Sequence, residues 1–288
     1  MKKLKRVAAI HDISGVGKCS LTVALPIISA AGVECSVMPT AVLSTHTGGF
    51  EGFTFRDLTD DMLPMAEHWK KENIGFDAFY SGYLGSLAQI NIVRDIFEMF
   101  RTPETLIMVD PVMADNGKLY SRFTSDHVKG MAKLCGHADV IIPNRTEAAF
   151  MLEREYKDCP MTVEEVNDVL YALSGLGARQ VVLTGVYFGE TDLGTACYDA
   201  QTGQIDYIMD MRIEGFYHGT GDVFGSLLLG ALVQGQSLAD ATRIAVRYTC
   251  EAIRLTAADG TDQRMGVRFE TVLNDYAQNI LMSRPKKS

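Results

Sequence analysis

Short apolar runs alternate with longer amphipathic segments along most of the chain. VAAI (7–10), VECSVM (33–38), FDAFY (76–80), TLIMVD (105–110), ADVII (138–142) and QVVLTG (180–185) have the length and content of strands. Between them, SLTVALPIISAAG, LAQINIVRDIFEMF and TSDHVKGMAKLCG carry apolar residues at helical spacing. This alternation predicts an α/β fold, a mostly parallel sheet with helices on both faces. TACYDAQTGQIDYIMD departs from the pattern: two alternating runs flank a Thr-Gly turn, which predicts an antiparallel hairpin. From Gly219 onward the chain reads as almost wholly helical, and the stretch around Trp69 as one more amphipathic helix. No Pro- or Ser-rich linker and no repeat interrupts the chain, so a single domain over residues 1–288 is expected.

Composition narrows the function classes. The net charge of −9 argues against a general nucleic-acid or membrane-surface role, which needs a basic footprint. Hydrophobic residues make up 47% and charged residues 22%, as in ordinary globular proteins. No stretch is long and apolar enough to span a bilayer. MKKLKRVAAI has the charges of a signal peptide, but its apolar run stops at His11-Asp12, so a solvated start leading into the first strand and a cytoplasmic protein are expected. The cysteines at 19, 35, 135, 159, 197 and 250 form no CxxC pair, which predicts reduced, packed side chains.

In a sheet of this kind ligands bind beyond the carboxyl ends of the strands. Polar residues cluster there: His11-Asp12, His46-Thr47, Ser81-Gly82-Tyr83, Asp110 and Asp115, Asn144 and Glu147, and Thr184. HGTGDVFGSLLLGAL (218–232) is the strongest signal. Its Gly219-Thr220-Gly221 run places backbone N–H groups at a helix start, where free donors and the dipole favour an anion. Asp222, in the first turn, could take the proton of an attacking hydroxyl beside such an anion hole. A plain helix start with a dipole-favoured acid accounts for the same four residues equally well. VDPVMADNGKLY (109–120) sets Asp110 and Asp115 on a strand-end loop. In PNRTEA, Asn144 and Glu147 stand three apart at a helix start, a spacing that suits Mg²⁺ coordination and a capping box alike.

DPVMADNG, PNRTEA and HGTGD, in this order, resemble the ribokinase-like superfamily, and most of all its vitamin-kinase branch of pyridoxal and hydroxymethylpyrimidine kinases. SGYLGS (81–86) and STHTGGF (44–50) are similar to segments that line the vitamin pocket of pyridoxal kinases. The resemblance implies a ribokinase-like three-layer α/β/α fold, with the hairpin toward one edge. It implies transfer of the ATP γ-phosphoryl group to the 5′-hydroxymethyl group of pyridoxal, pyridoxamine or pyridoxine. Asp222 would be the base and Gly219, Thr220 and Gly221 the anion hole. Asp110, Asp115, Tyr120, Asn144, Glu147 and Thr184 would serve the nucleotide, with Asp115 and Glu147 meeting Mg²⁺ largely through water and phosphate. Asp12, Ser14, His46, Thr47 and Tyr83, with Asp222, would surround the vitamin. The family also suggests a homodimer and leaves a monovalent-cation requirement open.

One position discriminates within the branch. Pyrimidine kinases typically carry Cys after Gly-Thr-Gly, where this chain has Asp222, which favours a pyridoxal kinase. Against it, Asp12-Ile13-Ser14-Gly15-Val16-Gly17 is similar to the D-x-S-G-G-A-G turn of the pyrimidine kinases. Ala114 also departs from the usual Gly of DPVMGDNG. A hydroxymethylpyrimidine or phosphomethylpyrimidine kinase is therefore the alternative, followed by a non-catalytic vitamin-binding module. The stretch HDISGVGKCS also invites comparison with a P-loop. That motif requires Gly at position 12 and a hydroxyl after the lysine; Asp12 and Cys19 stand there instead. It therefore reads as a tight turn bringing Asp12 and Ser14 to the acceptor, with Lys18 in solvent and Cys19 packed.

Overall fold

The computed structural model describes residues 4–283, so the first residues of the basic N-terminal stub lie outside the described residues. The elements run β1 (Arg6–Val16), α1 (Leu21–Ala30), β2 (Glu34–Thr45), β3 (Phe55–Asp57), α2 (Thr59–Lys71), β4 (Ala78–Ser81), α3 (Leu87–Phe100) and β5 (Leu106–Val109). Then come β6 (Ala114–Asp115), β7 (Lys118–Leu119), α4 (Ser125–Cys135), β8 (Val140–Ile141), α5 (Arg145–Met151), α6 (Val163–Ser174) and β9 (Gln180–Val186). The hairpin β10 (Asp192–Asp199) and β11 (Gln204–Met211) precedes α7 (Thr220–Val233), α8 (Leu238–Asp259) and α9 (Leu273–Met282). By packing, the chain divides into two compact units: one holds the chain up to Tyr80 and again from Ile213, the other Ser81–Arg212.

In the first unit β1 pairs in parallel with β2, and β3 adds antiparallel to β2. Val7, Ala8, Ala9 and Ile10 are fully buried along β1, each large side chain stabilising by about 1.5–3 kcal/mol. The α1 helix follows β1 and packs on it and on α7. Its buried face is Leu21, Val23, Ala24, Ile27 and Ile28, the spacing that marked it as amphipathic. Two expectations are corrected here. The apolar run at 33–38 is only the start of β2, which continues to Thr45 in pairing with β1. And HDISGV is strand, not tight turn. The pairing of β1 with β2 persists to Val16↔Thr45, with a register shift between His11 and Ile13. Turning begins only at Gly17, where the backbone has φ 84°.

In the second unit β5, β8 and β9 are parallel, and β9, β10 and β11 continue antiparallel. The hairpin closes with Asp199 opposite Gln204, around the turn expected from Thr-Gly. Helix α3 spans Leu87–Phe100, starts under a Ser86 side-chain cap, and buries Ile90, Val93, Ile96 and Phe97. The α/β class, the parallel strands and the hairpin thus stand as expected. The ribbon β6–β7 and the short β3 were not legible, since strands of two or three residues leave no period to read. Among the described residues no helix is long and apolar enough to cross a membrane.

Candidate functional site

In the first unit the loop before α7 brings Gly219 to the helix start in the left-handed conformation, φ 74°. A β-carbon there would also lie 2.0 Å from the Lys18 carbonyl oxygen. Glycine is required twice over, for conformation and for contact. No side chain caps this helix start, and the Thr220 hydroxyl instead donates to the Tyr217 carbonyl. The first-turn N–H groups, beside the exposed Gly221, are left to water or an anion.

Asp222 follows, its side chain only 15% exposed. Burial pushes its carboxyl up to about 7, the nearby Asp12 carboxylate adds to the shift, and the Ser20 backbone N–H opposes it. That places proton affinity near neutrality, where a general base operates best. Asp12 is itself buried and pushed up by burial, while its oxygens accept from Ser20 Oγ (2.5 Å) and Ser14 Oγ (3.1 Å). Ser20 therefore ties two carboxylates, one by hydroxyl and one by amide. It does so with φ 56°, a left-handed value for a residue with a side chain. No sequence signal pointed to Ser20, because its role depends on the strained bend after β1.

His46 is held by the backbone on both ring nitrogens. Gly48 N–H donates to Nδ1 (3.0 Å), and Nε2 lies 2.6 Å from the Arg264 carbonyl oxygen. Both ring nitrogens serve the backbone, which leaves the ring only its faces and edges for a ligand. The ring lies against Gly17, where a β-carbon would approach it to 2.1 Å. Thr47 beside it is exposed. Lys18 is part-exposed, and its Nζ pairs with Glu270 at 2.9 Å. Cys19 is partly buried, and burial with the Asp222 and Asp12 charges pushes its thiol well up.

The second unit gathers Asn144, Glu147, Ala114 and Thr184. Asn144 caps α5 by accepting from Glu147 N–H (2.9 Å), and Glu147 Oε2 accepts from Asn144 N–H (2.9 Å), a complete capping box. Glu147 Oε1 accepts from Met113 N–H (3.1 Å), and Asn144 Nδ2 donates to the Ala114 carbonyl (2.8 Å). A bridge sets Asn144 beside Thr184, whose N–H donates to the Pro143 carbonyl (2.9 Å). The Asp110 N–H donates to the Ser81 carbonyl (2.9 Å), and its side chain is buried. Asp115 accepts from Asn116 through both oxygens. Burial pushes Asp115 up; it pushes Glu147 up as well, against three backbone N–H donors. Tyr120 is 42% exposed, and Tyr83 packs on Phe123 at 5.6 Å.

These residues test the expected Mg²⁺. Among the described residues no group of three or more His, Cys, Asp or Glu side chains could hold a metal. Glu147 is buried with both oxygens engaged by backbone N–H groups, so it does not fit as a direct ligand. The oxygen donors present suit a hard cation that keeps its waters, not a protein-built cage.

Known proteins resemble this chain over most of its length. A Bacteroides thetaiotaomicron protein, provisionally named a phosphomethylpyrimidine kinase and crystallised with pyridoxal, is 42% identical with a TM-score of 0.91, over 95% of this chain and 96% of that one. The pyridoxal kinase of Lactobacillus plantarum is 32% identical with a TM-score of 0.89, over 98% of this chain and all (100%) of its own. The pyridoxine/pyridoxal/pyridoxamine kinase of Bordetella avium is 25% identical over 91% of this chain and 89% of its own. The phosphomethylpyrimidine kinase family model matches residues 24–267. By that match and the ribokinase-like fold of its relatives, the chain belongs to the phosphomethylpyrimidine kinase family.

Proposed function

We propose that the protein transfers the γ-phosphoryl group of ATP to the 5′-hydroxymethyl group of pyridoxal, pyridoxamine or pyridoxine. The observation that carries this reading is Asp222: a carboxylate with its proton affinity raised toward neutrality, in the first turn of a helix start no side chain caps. The same position typically holds cysteine in the pyrimidine kinases. The likeness to a protein crystallised with pyridoxal and to a pyridoxal kinase supports it.

On this reading Asp222 accepts the hydroxyl proton as the oxygen attacks phosphorus, and the N–H groups of Gly219, Thr220 and Gly221 stabilise charge on the transferred phosphoryl oxygens. Asp12 and Ser14, held by their hydrogen bond, border the vitamin with Thr47 and Tyr83. His46 contributes by fixing its loop to the Arg264 backbone. Asn144, Thr184, Asp110, Asp115 and Tyr120 are assigned to the nucleotide. Glu147 is assigned to shaping the Asn144 cap, and Mg²⁺ is carried in on the triphosphate. A homodimer belongs to the same reading, tested by light scattering.

The deciding experiment incubates purified protein with ATP and Mg²⁺ and each B6 vitamer, and in parallel with hydroxymethylpyrimidine. The expected product is a B6 5′-phosphate. Phosphorylation of the pyrimidine alone would replace this reading by the second one. The family match and the Asp12–Gly17 stretch favour that alternative.

A further inference from the structure

His11 is wholly buried at 0% exposure on β1, and neither ring nitrogen has a hydrogen-bond partner. A neutral imidazole carries one N–H donor and one acceptor, and buried groups of that kind are almost always paired. The ring stands edge-on to Tyr80 of β4, with centroids 4.4 Å apart. Its Nδ1 lies 3.8 Å from Asp222 Oδ1. That is about 1 Å beyond a charge-assisted hydrogen bond, and contacts of catalytic groups are often long before the ligand binds.

We propose that His11 is a positioning residue for Asp222: its Nδ1–H closes onto Oδ1, holds the carboxylate ionised, and aims the other oxygen at the acceptor hydroxyl. The inference rests on the functional reading above for its consequence in turnover, but the pairing itself does not. Burial pushes the imidazole down to about 3, so it stays neutral and the proton stays on His11 throughout. The other groups facing Asp222 are the Ser20 N–H, which favours its charge, and Asp12, which opposes it; the Cys19 thiol is protonated. His11 is thus a second donor where only one backbone N–H offsets burial and a like charge.

The test combines His11→Leu, His11→Asn and Asp222→Asn in the full chain. The Asp222 carboxyl is titrated by ¹³C NMR without ligand, and the pH profile of turnover is measured with pyridoxal and ATP. H11L should raise the Asp222 midpoint by about one pH unit, tenfold in its protonation constant. The acid limb of kcat should move with it, with kcat down about tenfold and KM for ATP within about twofold. H11N, which retains an N–H near the Nδ1 position, should restore both. Because leucine beside a buried carboxylate can cost the fold, a second reading uses ¹⁵N-labelled histidine. Nδ1 of His11 should be the protonated nitrogen in the parent protein, and its resonance should shift in D222N. An unmoved Asp222 midpoint in folded H11L, or a His11 resonance indifferent to D222N, overturns the proposal. A parent protein that shows the coupling yet phosphorylates no B6 vitamer overturns the functional reading alone.

Discussion

Among the helices that begin with an acid in their first turn, α5 and α7 use it in opposite ways. At α5, Glu147 folds back onto the Asn144 N–H, and every oxygen of the pair faces a backbone donor. At α7, Gly219 offers no capping side chain, and Asp222 is turned toward Ser20, Asp12 and His11 instead. One acid closes its helix; the other leaves its helix open. The difference lies at the N-cap: Asn144 accepts from the Glu147 N–H, whereas at α7 the N-cap is a glycine with no side chain to offer. That glycine is left-handed and packs on the Lys18 carbonyl.

The largest expected effect separates the two acids by chemistry. Asp222→Asn should lower kcat with pyridoxal and ATP by about a thousandfold or more while leaving the circular dichroism spectrum unchanged. An activity within tenfold of the parent would remove Asp222 from the base role. Gly219→Ala comes next. Forced into a left-handed conformation against the Lys18 carbonyl, it should displace the helix start and cut kcat about a hundredfold. Glu147→Ala should act on stability, leaving buried N–H groups of Asn144 and Met113 without acceptors. Its cost is about 2–3 kcal/mol in urea unfolding. Should E147A cost nothing in stability yet abolish turnover, the assignment of Glu147 to structure is wrong.

A fourth measurement concerns pH. Asp222 rises on folding from its ordinary 3.8 to about 7, so the folded state binds more protons than the unfolded chain between those values. Stability contributed by the protonated acid is present below about 4 and is lost as pH climbs toward 7. D222N, with nothing to ionise, should therefore gain on the parent as pH rises, by on the order of 5 °C in Tm at pH 8 relative to pH 4. An equal difference at both pH values would mean that folding does not raise the proton affinity of Asp222. The smallest effect is expected at Lys18→Met. Losing a part-exposed pair with Glu270 should change stability by less than about 1 kcal/mol and leave the KM for ATP unchanged. A large rise in that KM would return the P-loop comparison to life.

Much of this was legible because its signals are local. The strands starting at Arg6 and Gln180 and the hairpin around Asp199 follow from runs of apolar residues and one turn. The Asn144–Glu147 capping box follows from a spacing of three. The extension of β1 through HDISGV was hidden, because what carries it is its pairing with β2, from Ile13↔Val42 to Val16↔Thr45, and not a local pattern. The two backbone partners of His46, Gly48 and Arg264, cannot be inferred from STHTGG. His11 read only as one polar residue after a strand.

The amino-acid sequence by itself determined the α/β class, the positions of the main helices and the residue types available at the strand ends, since periodicity and capping act over a few neighbouring residues. Only the tertiary structure decided which carboxylate is occupied and which is open. Occupancy depends on burial and on donors hundreds of residues away: β1 and the bend at Ser20 meet α7 at Asp222, and desolvation there raises the proton affinity that its neighbours in sequence cannot set.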